Sequence, residues 1–217
     1  MEVGELNTNG VVRRQRLTGA QRQRMIFDAA AEVFARRGYD GARLEEIAGT
    51  AGVSKALIYE HFDGKRELYA RILKRGMDES FGIAMAAVAE QKESYARLEA
   101  GLGAFLEFVA EQPDVWRVVQ QEVSDPDLIE LDHARQVRGE KAIAQLLSVD
   151  DGIACQGFDQ AQIDLFAVMI NGAMVRAADW WIAHFETPRE LVLRSLMQFV
   201  WLGMDRIAAG DEELAAI

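Results

Sequence analysis

The sequence predicts an all-α protein, and three observations support that prediction. Apolar residues recur at helical spacing along nearly the whole chain. Only three prolines occur, at positions 113, 126 and 188, and the β-branched alternation typical of strands is almost absent. The chain has 217 residues, half of them apolar, which is enough for one large domain or for a small domain beside a larger one.

The first predicted elements form a compact N-terminal unit. Residues 1–17 lack periodicity and end in V11-V-R-R-Q-R-L17, which predicts a mobile basic arm; a solvated terminus and a phosphate-contacting arm fit equally well. Helix 1 should begin at Thr18, with Gln21 completing a capping box, and end at Gly38. Two short helices follow near residues 43–50 and 55–62, and a fourth runs from about Gly64 to Arg75.

The remaining predicted helices are longer. They are expected near residues 78–91, 94–111, 114–123 and 126–148, then near 159–185 and 188–209, with a break at D150-D-G-I-A-C-Q-G157. The sequence therefore predicts an N-terminal unit at 18–75 and a larger helical bundle at 76–217.

Charge divides the chain at the same place. Residues 1–75 hold 14 Lys and Arg against 10 Asp and Glu, whereas residues 76–217 hold 10 against 25. The first part is therefore +4 and the second −15. A small basic unit attached to an acidic one favours binding of an anionic partner at the basic unit alone.

Composition also narrows the location and the chemistry. The single Cys155 excludes an intramolecular disulfide framework and fits a reducing compartment. No apolar run approaches the roughly 18 residues of a membrane span, and the acidic N-terminus has no signal-peptide core. We expect a soluble, cytoplasmic protein with no membrane partner. His133 and His184 lack the spacing of zinc ligands, so we expect neither a metal nor a cofactor.

The stretch R43-L-E-E-I-A-G-T-A-G-V-S-K-A-L-I-Y-E-H-F62 indicates two helices joined by a tight turn. Gly52 supplies the permissive backbone of the turn, and Ser54 caps the second helix. Because Ile58 and Phe62 bury one side of that helix, its opposite side faces outward. This is the pattern of a helix-turn-helix, whose second helix sits in the DNA major groove.

Several motifs in order resemble the TetR family of bacterial transcriptional regulators over residues ~22–70. They are F34-A-R-R-G-Y39, E46-I-A, A51-G-V-S54, I58-Y-E-H-F62 and K65-R-E-L68. The resemblance implies an all-α homodimer whose larger domain binds a small molecule and thereby releases DNA. It also implies that Lys55, Ala56 and Leu57 face bases, and that Tyr59, His61 and Lys65 touch or approach phosphate.

Three positions in this stretch leave alternatives open. Arg43 follows Ala42 where members of the family usually carry a hydroxyl, and Arg43 replaces that contact in our interpretation. Glu60 points toward the groove, where a carboxylate can accept from cytosine N4 or simply face solvent. His61, beside Phe62, is equally consistent with a partly buried histidine that has no DNA role.

The larger domain is rich in Met and aromatic residues, which suit an adaptable apolar cavity. Any single one fits a core or dimer interface as well as a pocket. The predicted ligand-binding set is Phe105, Phe108, Trp116, Gln120, Met169 and Met174. The predicted dimer seam lies on the last two helices and includes Gly172, Trp180, Trp181, Leu191, Leu196, Val200 and Gly203.

The leading hypothesis is a ligand-responsive transcriptional repressor that binds a palindromic DNA operator as a homodimer. A small hydrophobic or amphipathic effector would release it. The alternative is an activator, or a regulator controlled by a protein partner without a small molecule. An enzyme would need a converging nucleophile–base or metal set, and the sequence shows none, so we assign no catalytic residue.

Overall fold

The computed structural model describes residues 18–149 and 158–208. Within these ranges the regular structure is helical, as the sequence predicts. The helices are α1 (Gly19–Gly41), α2 (Leu44–Ala51), α3 (Lys55–Tyr59), α4 (Lys65–Ala89), α5 (Ser94–Glu111), α6 (Pro113–Val119), α7 (Pro126–Val149), α8 (Gln160–Ala183) and α9 (Arg189–Ala208). The predicted basic arm, the predicted break and the last residues, 209–217, lie outside the described residues.

Local capping fixes where the first helices begin and end. The Thr18 hydroxyl accepts from the Gln21 N–H at 3.2 Å, and the Gln21 side chain accepts from the Thr18 N–H at 2.8 Å. Gly38, at φ 73°, interrupts the helical backbone of α1 three residues before its end. Gly52 ends α2 in the left-handed conformation at φ 67°. These positions confirm the capping box and the glycine turn that the sequence predicts.

The prediction of two helices where α4 lies is wrong. We expected one helix to end at Arg75 and another to begin near residue 78, but the chain continues as a single helix of 25 residues. Gly76 sits at a close crossing, because a Cβ added there would lie 2.6 Å from Cγ1 of Val115 in α6. Here glycine permits tight helix packing and does not end the helix. α4 therefore runs from the N-terminal unit into the larger domain.

One hydrophobic core extends across both units. Tyr69 of α4 is fully buried at its centre, with its ring against Phe34 at 4.9 Å and Tyr39 at 5.0 Å between centroids. Its hydroxyl donates to the Val118 carbonyl of α6 at 3.1 Å. Burial raises the pKa of the Tyr69 hydroxyl. The N-terminal unit and the larger domain are thus packed together through α1, α4 and α6.

The last two helices carry an exposed apolar face. It comprises Leu165, Val168, Met169 and Trp180 of α8 with Leu191 and Phe199 of α9, and Phe199 is 76 % exposed. Part of the predicted dimer seam is wrong, because Trp181, Leu196 and Val200 are buried in the core of the protomer. No helix of the described part of the chain is long and apolar enough to cross a membrane.

Candidate nucleic-acid interface and internal cavity

Helix α3 presents a small exposed surface formed by its first, second and last residues and the residue after it. Lys55, Ala56 and Glu60 are exposed, and Tyr59 is 52 % exposed. Ser54 caps the helix, since its hydroxyl accepts from the Leu57 N–H at 3.2 Å. The cap and the buried Ile58 set which side of α3 faces outward, as the spacing predicts.

Leu57 and His61 lie differently from the other residues predicted to contact DNA. Leu57 is half-buried and packs against the hydrophobic core, so less of its side chain is available to a base than at Lys55 or Ala56, and its assignment to the base-facing side stays a prediction. His61 is also half-buried, and its Nε2 atom is buried with no hydrogen-bond partner among the described residues. The buried alternative for His61 therefore has structural support.

Lys65 at the start of α4 also differs from expectation, because its ammonium turns inward. It donates to the carbonyl oxygens of Tyr39 at 2.7 Å and Ala42 at 3.2 Å, and it lies 4.5 Å from the Tyr39 ring centroid. Tyr39 lies at the end of α1, and Ala42 is the residue that follows that helix. Lys65 therefore ties the end of α1 to α4, and a phosphate would have to compete with the carbonyls for its protons.

Charged groups surround the first turn of α2. Arg43 precedes the helix and is exposed, and its side chain makes no capping hydrogen bond to the described residues. Glu45 is ion-paired with Lys55, whose ammonium lies 5.8 Å from the Tyr59 ring centroid. The hydrogen bond between them lowers the pKa of the Glu45 carboxyl and raises the pKa of the Lys55 ammonium.

A cavity of about 200 Å³ lies in the larger domain between α4, α5, α6, α7, α8 and α9. Four of the six predicted ligand-binding residues line it: Phe105, Phe108, Trp116 and Met174. The Phe105 and Trp116 rings meet edge to face, with centroids 5.2 Å apart. The remaining wall is mostly aliphatic, including Met85, Val88, Leu98, Leu102, Val119, Ile143, Leu147 and Val175.

The other two predicted ligand-binding residues, Gln120 and Met169, do not line this cavity and need correction. Gln120 donates to the Asp179 carboxylate at 3.2 Å, and Met169 is 52 % exposed on the apolar face of α8. Met169 and Met174 are five positions apart, which at about 100° per residue places them roughly 140° apart around the helix. One cavity could not accept both.

Sequence reasoning suggested Asn171 but missed the rest of the polar part of the cavity wall. This polar part consists of Ser80, Arg97, Arg135, Gln136, Arg138 and Asn171, with no carboxylate among the described lining residues. Arg135 is paired with Asp132 at 2.8 Å, and Arg138 with Asp78 at 2.7 Å. Arg97 shares α5 with Phe105 and Phe108, but Ser80 comes from α4, and Arg135, Gln136 and Arg138 come from α7. The spacing of the predicted aromatic residues gives no signal for groups on α4 and α7.

Helix α6 connects the cavity to the N-terminal unit. Trp116 and Val119 of α6 line the cavity. Just beyond the helix, the Gln121 side chain donates to the carbonyls of Phe34 at 2.8 Å and Ala35 at 3.0 Å near the end of α1. A ligand that displaces α6 would therefore also change the support of α1.

Comparison with known proteins decides which family carries this arrangement. The family profile described as bacterial regulatory proteins, tetR family, matches residues 26–72, from α1 to α4. The HTH-type transcriptional activator FasR of Mycolicibacterium smegmatis is 28% identical over 209 residues, covering 94% of this chain and 93% of FasR. Residues 26–72, which hold the helix-turn-helix, belong to the TetR family.

A second relative and two solved structures extend the comparison. The transcriptional repressor SCO4008 of Streptomyces coelicolor is 31% identical over 127 residues, 58% of this chain and 62% of the repressor. A TetR-like regulator from Rhodococcus sp. RHA1 has a TM-score of 0.73 at 25% identity, covering 88% of this chain and 99% of that one. FadR of Bacillus subtilis, solved with stearoyl-CoA, has a TM-score of 0.67 at 21% identity over 86% of this chain and 98% of FadR.

Membership in the TetR family confirms the predicted fold class and the general function. This chain is a DNA-binding transcriptional regulator with an N-terminal helix-turn-helix. Its relatives are transcription regulators and not enzymes, in agreement with the sequence prediction.

Proposed function

We propose that this TetR-family regulator is a ligand-responsive repressor that binds a palindromic operator as a homodimer in the cytoplasm. An effector that fills the cavity releases it from DNA. The observation that carries the proposal is the position of the cavity, whose wall includes α4 and α6, the two helices that also pack against the N-terminal unit.

The character of the cavity wall supports an amphipathic effector with an anionic end. Aromatic and aliphatic side chains form most of the surface, which suits an apolar chain or ring system. Arg97, Arg135 and Arg138 bring guanidinium groups to the wall, two of them paired with Asp132 and Asp78. Guanidinium groups bind carboxylate and phosphate by paired hydrogen bonds. FadR, which has the same fold, was solved with a ligand of this general kind, but the proposal rests on the lining residues of this chain.

Coupling to DNA follows from contacts on both faces of α6. A ligand against Trp116 and Val119 favours one position of this helix. Val118 of α6 accepts from Tyr69 of α4, and Gln121 holds the end of α1. The ligand can shift the equilibrium between two positions of α6 only if its contacts differ between them. Coupling energies of about 1–3 kcal/mol would change operator affinity roughly 5- to 150-fold.

The exposed apolar face on α8 and α9 supports the homodimer. Its large side chains are unusual for a surface that stays in water, since contiguous apolar patches on monomers are generally small. A two-fold axis through this face would pair two copies of α3. Recognition helices about 34–36 Å apart match one turn of DNA and therefore a palindrome.

Activation of transcription is the second candidate, and one observation favours it. FasR, the relative that matches nearly the full length of this chain, is named as an activator. The DNA-binding surface and the cavity described above serve either sign of regulation. In vitro transcription from a promoter that carries the selected operator separates them, because a repressor lowers transcript yield and an activator raises it.

The effector proposal is tested by filling the cavity at Met174, which lines it from α8. Met174→Trp should keep operator binding but lose release by medium- and long-chain carboxylic acids, measured by fluorescence anisotropy of a labelled operator. Met174→Leu conserves volume and should respond like the wild type. If Met174→Trp is released at the same acid concentration as the wild type, this cavity is not the effector site.

A further inference from the structure

The ion pair between α2 and α3 occupies the cation that the recognition helix offers to DNA. The sequence gives α3 a single basic residue, Lys55, at its first position. In the free protein its ammonium is bound to the carboxylate of Glu45, in the first turn of α2. Both side chains are accessible, with 44% of Lys55 and 65% of Glu45 exposed.

From this contact we infer that Glu45 is a specificity-determining residue, which withholds Lys55 from DNA phosphates and yields it to a matching base. The inference rests on the proposed placement of α3 in the major groove. Glu45 then acts as an internal competitor for the same ammonium. Such a built-in competing contact lowers affinity for the wrong partner more than for the right one.

The competition differs between arbitrary DNA and the operator. On arbitrary DNA, Lys55 exchanges the Glu45 carboxylate for a phosphate, so one anionic partner replaces another. At a guanine, O6 and N7 offer two acceptors in a fixed geometry, which distinguishes this base from the others in the major groove. The exchange is therefore favoured where the base fits.

Arg43 places a second positive charge near Glu45, without an ion pair between them in the described structure. Arg43 lies two positions before Glu45 and contributes to lowering the pKa of its carboxyl, after the larger effect of Lys55. It stands where members of the family usually carry a hydroxyl. The departure at Arg43 and the ion pair at Glu45 thus belong to one charged arrangement at the DNA-facing end of α2.

The test is Glu45→Gln, which keeps the side-chain size and removes the charge. Binding is measured by anisotropy against a random-sequence duplex and against the operator from genomic selection, at several salt concentrations. Affinity for the random duplex should rise by roughly three- to tenfold, and the log–log salt slope should steepen by about 0.9 for each protomer that gains a phosphate contact. Operator affinity should rise less, so the ratio of specific to random binding falls.

The Lys55→Ala background provides the decisive control. Glu45→Gln should have little effect there, because no ammonium remains to be released. Glu46→Gln removes the same charge one residue along, but Glu46 is paired with Arg36 at 2.9 Å and Arg37 at 3.3 Å. Its effect should therefore be the same with and without Lys55.

Two results would overturn the inference. One is an equal gain from Glu45→Gln in both backgrounds, which would make Glu45 a simple repulsive charge. The other is an unchanged or reduced affinity for random DNA. The two proposals are tested separately. The wild-type titration alone tests operator binding, and the difference between the effects of Glu45→Gln with and without Lys55 tests the role of Glu45.

Discussion

Gly76 offers a direct test of how closely α4 crosses α6. In Gly76→Ala the new Cβ would lie 2.6 Å from Cγ1 of Val115 and 3.6 Å from Cγ2 of Val119. Carbon atoms pack best at about 3.5–4.0 Å, so the helices or the Val115 side chain must move by roughly 1 Å. Overpacking of this kind costs about 1–3 kcal/mol.

Gly82→Ala is the matched control, because Gly82 lies in the same helix and, apart from its chain neighbours and the nearby backbone of α4 itself, no described atom lies within 4 Å of a Cβ added there. Both substitutions gain the helix propensity of alanine, about 1 kcal/mol, and that gain cancels in the comparison. One kcal/mol shifts the Tm of a chain of this length by about 2–4 °C. Gly76→Ala should therefore melt roughly 2–12 °C below Gly82→Ala.

The assay is thermal unfolding followed by circular dichroism, with both variants at one protomer concentration, since association makes Tm concentration-dependent. Operator affinity should also be lower in Gly76→Ala than in Gly82→Ala, because α6 supports α1 through Gln121. Equal melting temperatures for the two variants would refute the close crossing.

Three further predictions follow from local contacts. Ser54→Ala removes the cap of α3 and should lower the free energy of unfolding, measured in urea, by about 1 kcal/mol. Ser54→Asp should retain most of the stability, and equal losses in the two variants would argue against the cap. Lys65→Met should lower the free energy of unfolding by roughly 1–3 kcal/mol, because it removes charged hydrogen bonds to carbonyls; a flatter salt slope of DNA binding with unchanged stability would restore the phosphate assignment. Because burial raises the pKa of Tyr69 in the folded state, the unfolded state ionises first. The contribution of Tyr69 to stability is therefore fully present below about pH 10 and is lost as pH rises further. In urea unfolding, Tyr69→Phe should lose less free energy of unfolding at high pH than the wild type does; identical pH dependence would contradict this.

The sequence alone determined the features that depend on near neighbours. The capping box at Thr18, the glycine turn at Gly52 and the cap at Ser54 each involve atoms three or four residues apart. Such contacts form whenever the right residue types occur at the right spacing, whatever packs around them. The helix-turn-helix, and with it the family, could therefore be predicted before any fold was known.

The tertiary structure decided how distant segments meet. The fourth helix was predicted to end at Arg75, but α4 continues through Gly76, where it packs closely against α6. Lys65 turned inward because the carbonyls of Tyr39 and Ala42, more than twenty residues earlier, converge beside it. Trp181 is buried in the core and Trp180 is exposed, because the position of neighbouring helices determines which side of α8 is buried. Spacing along a chain gives the faces of a helix, and only its partners determine what each face contacts.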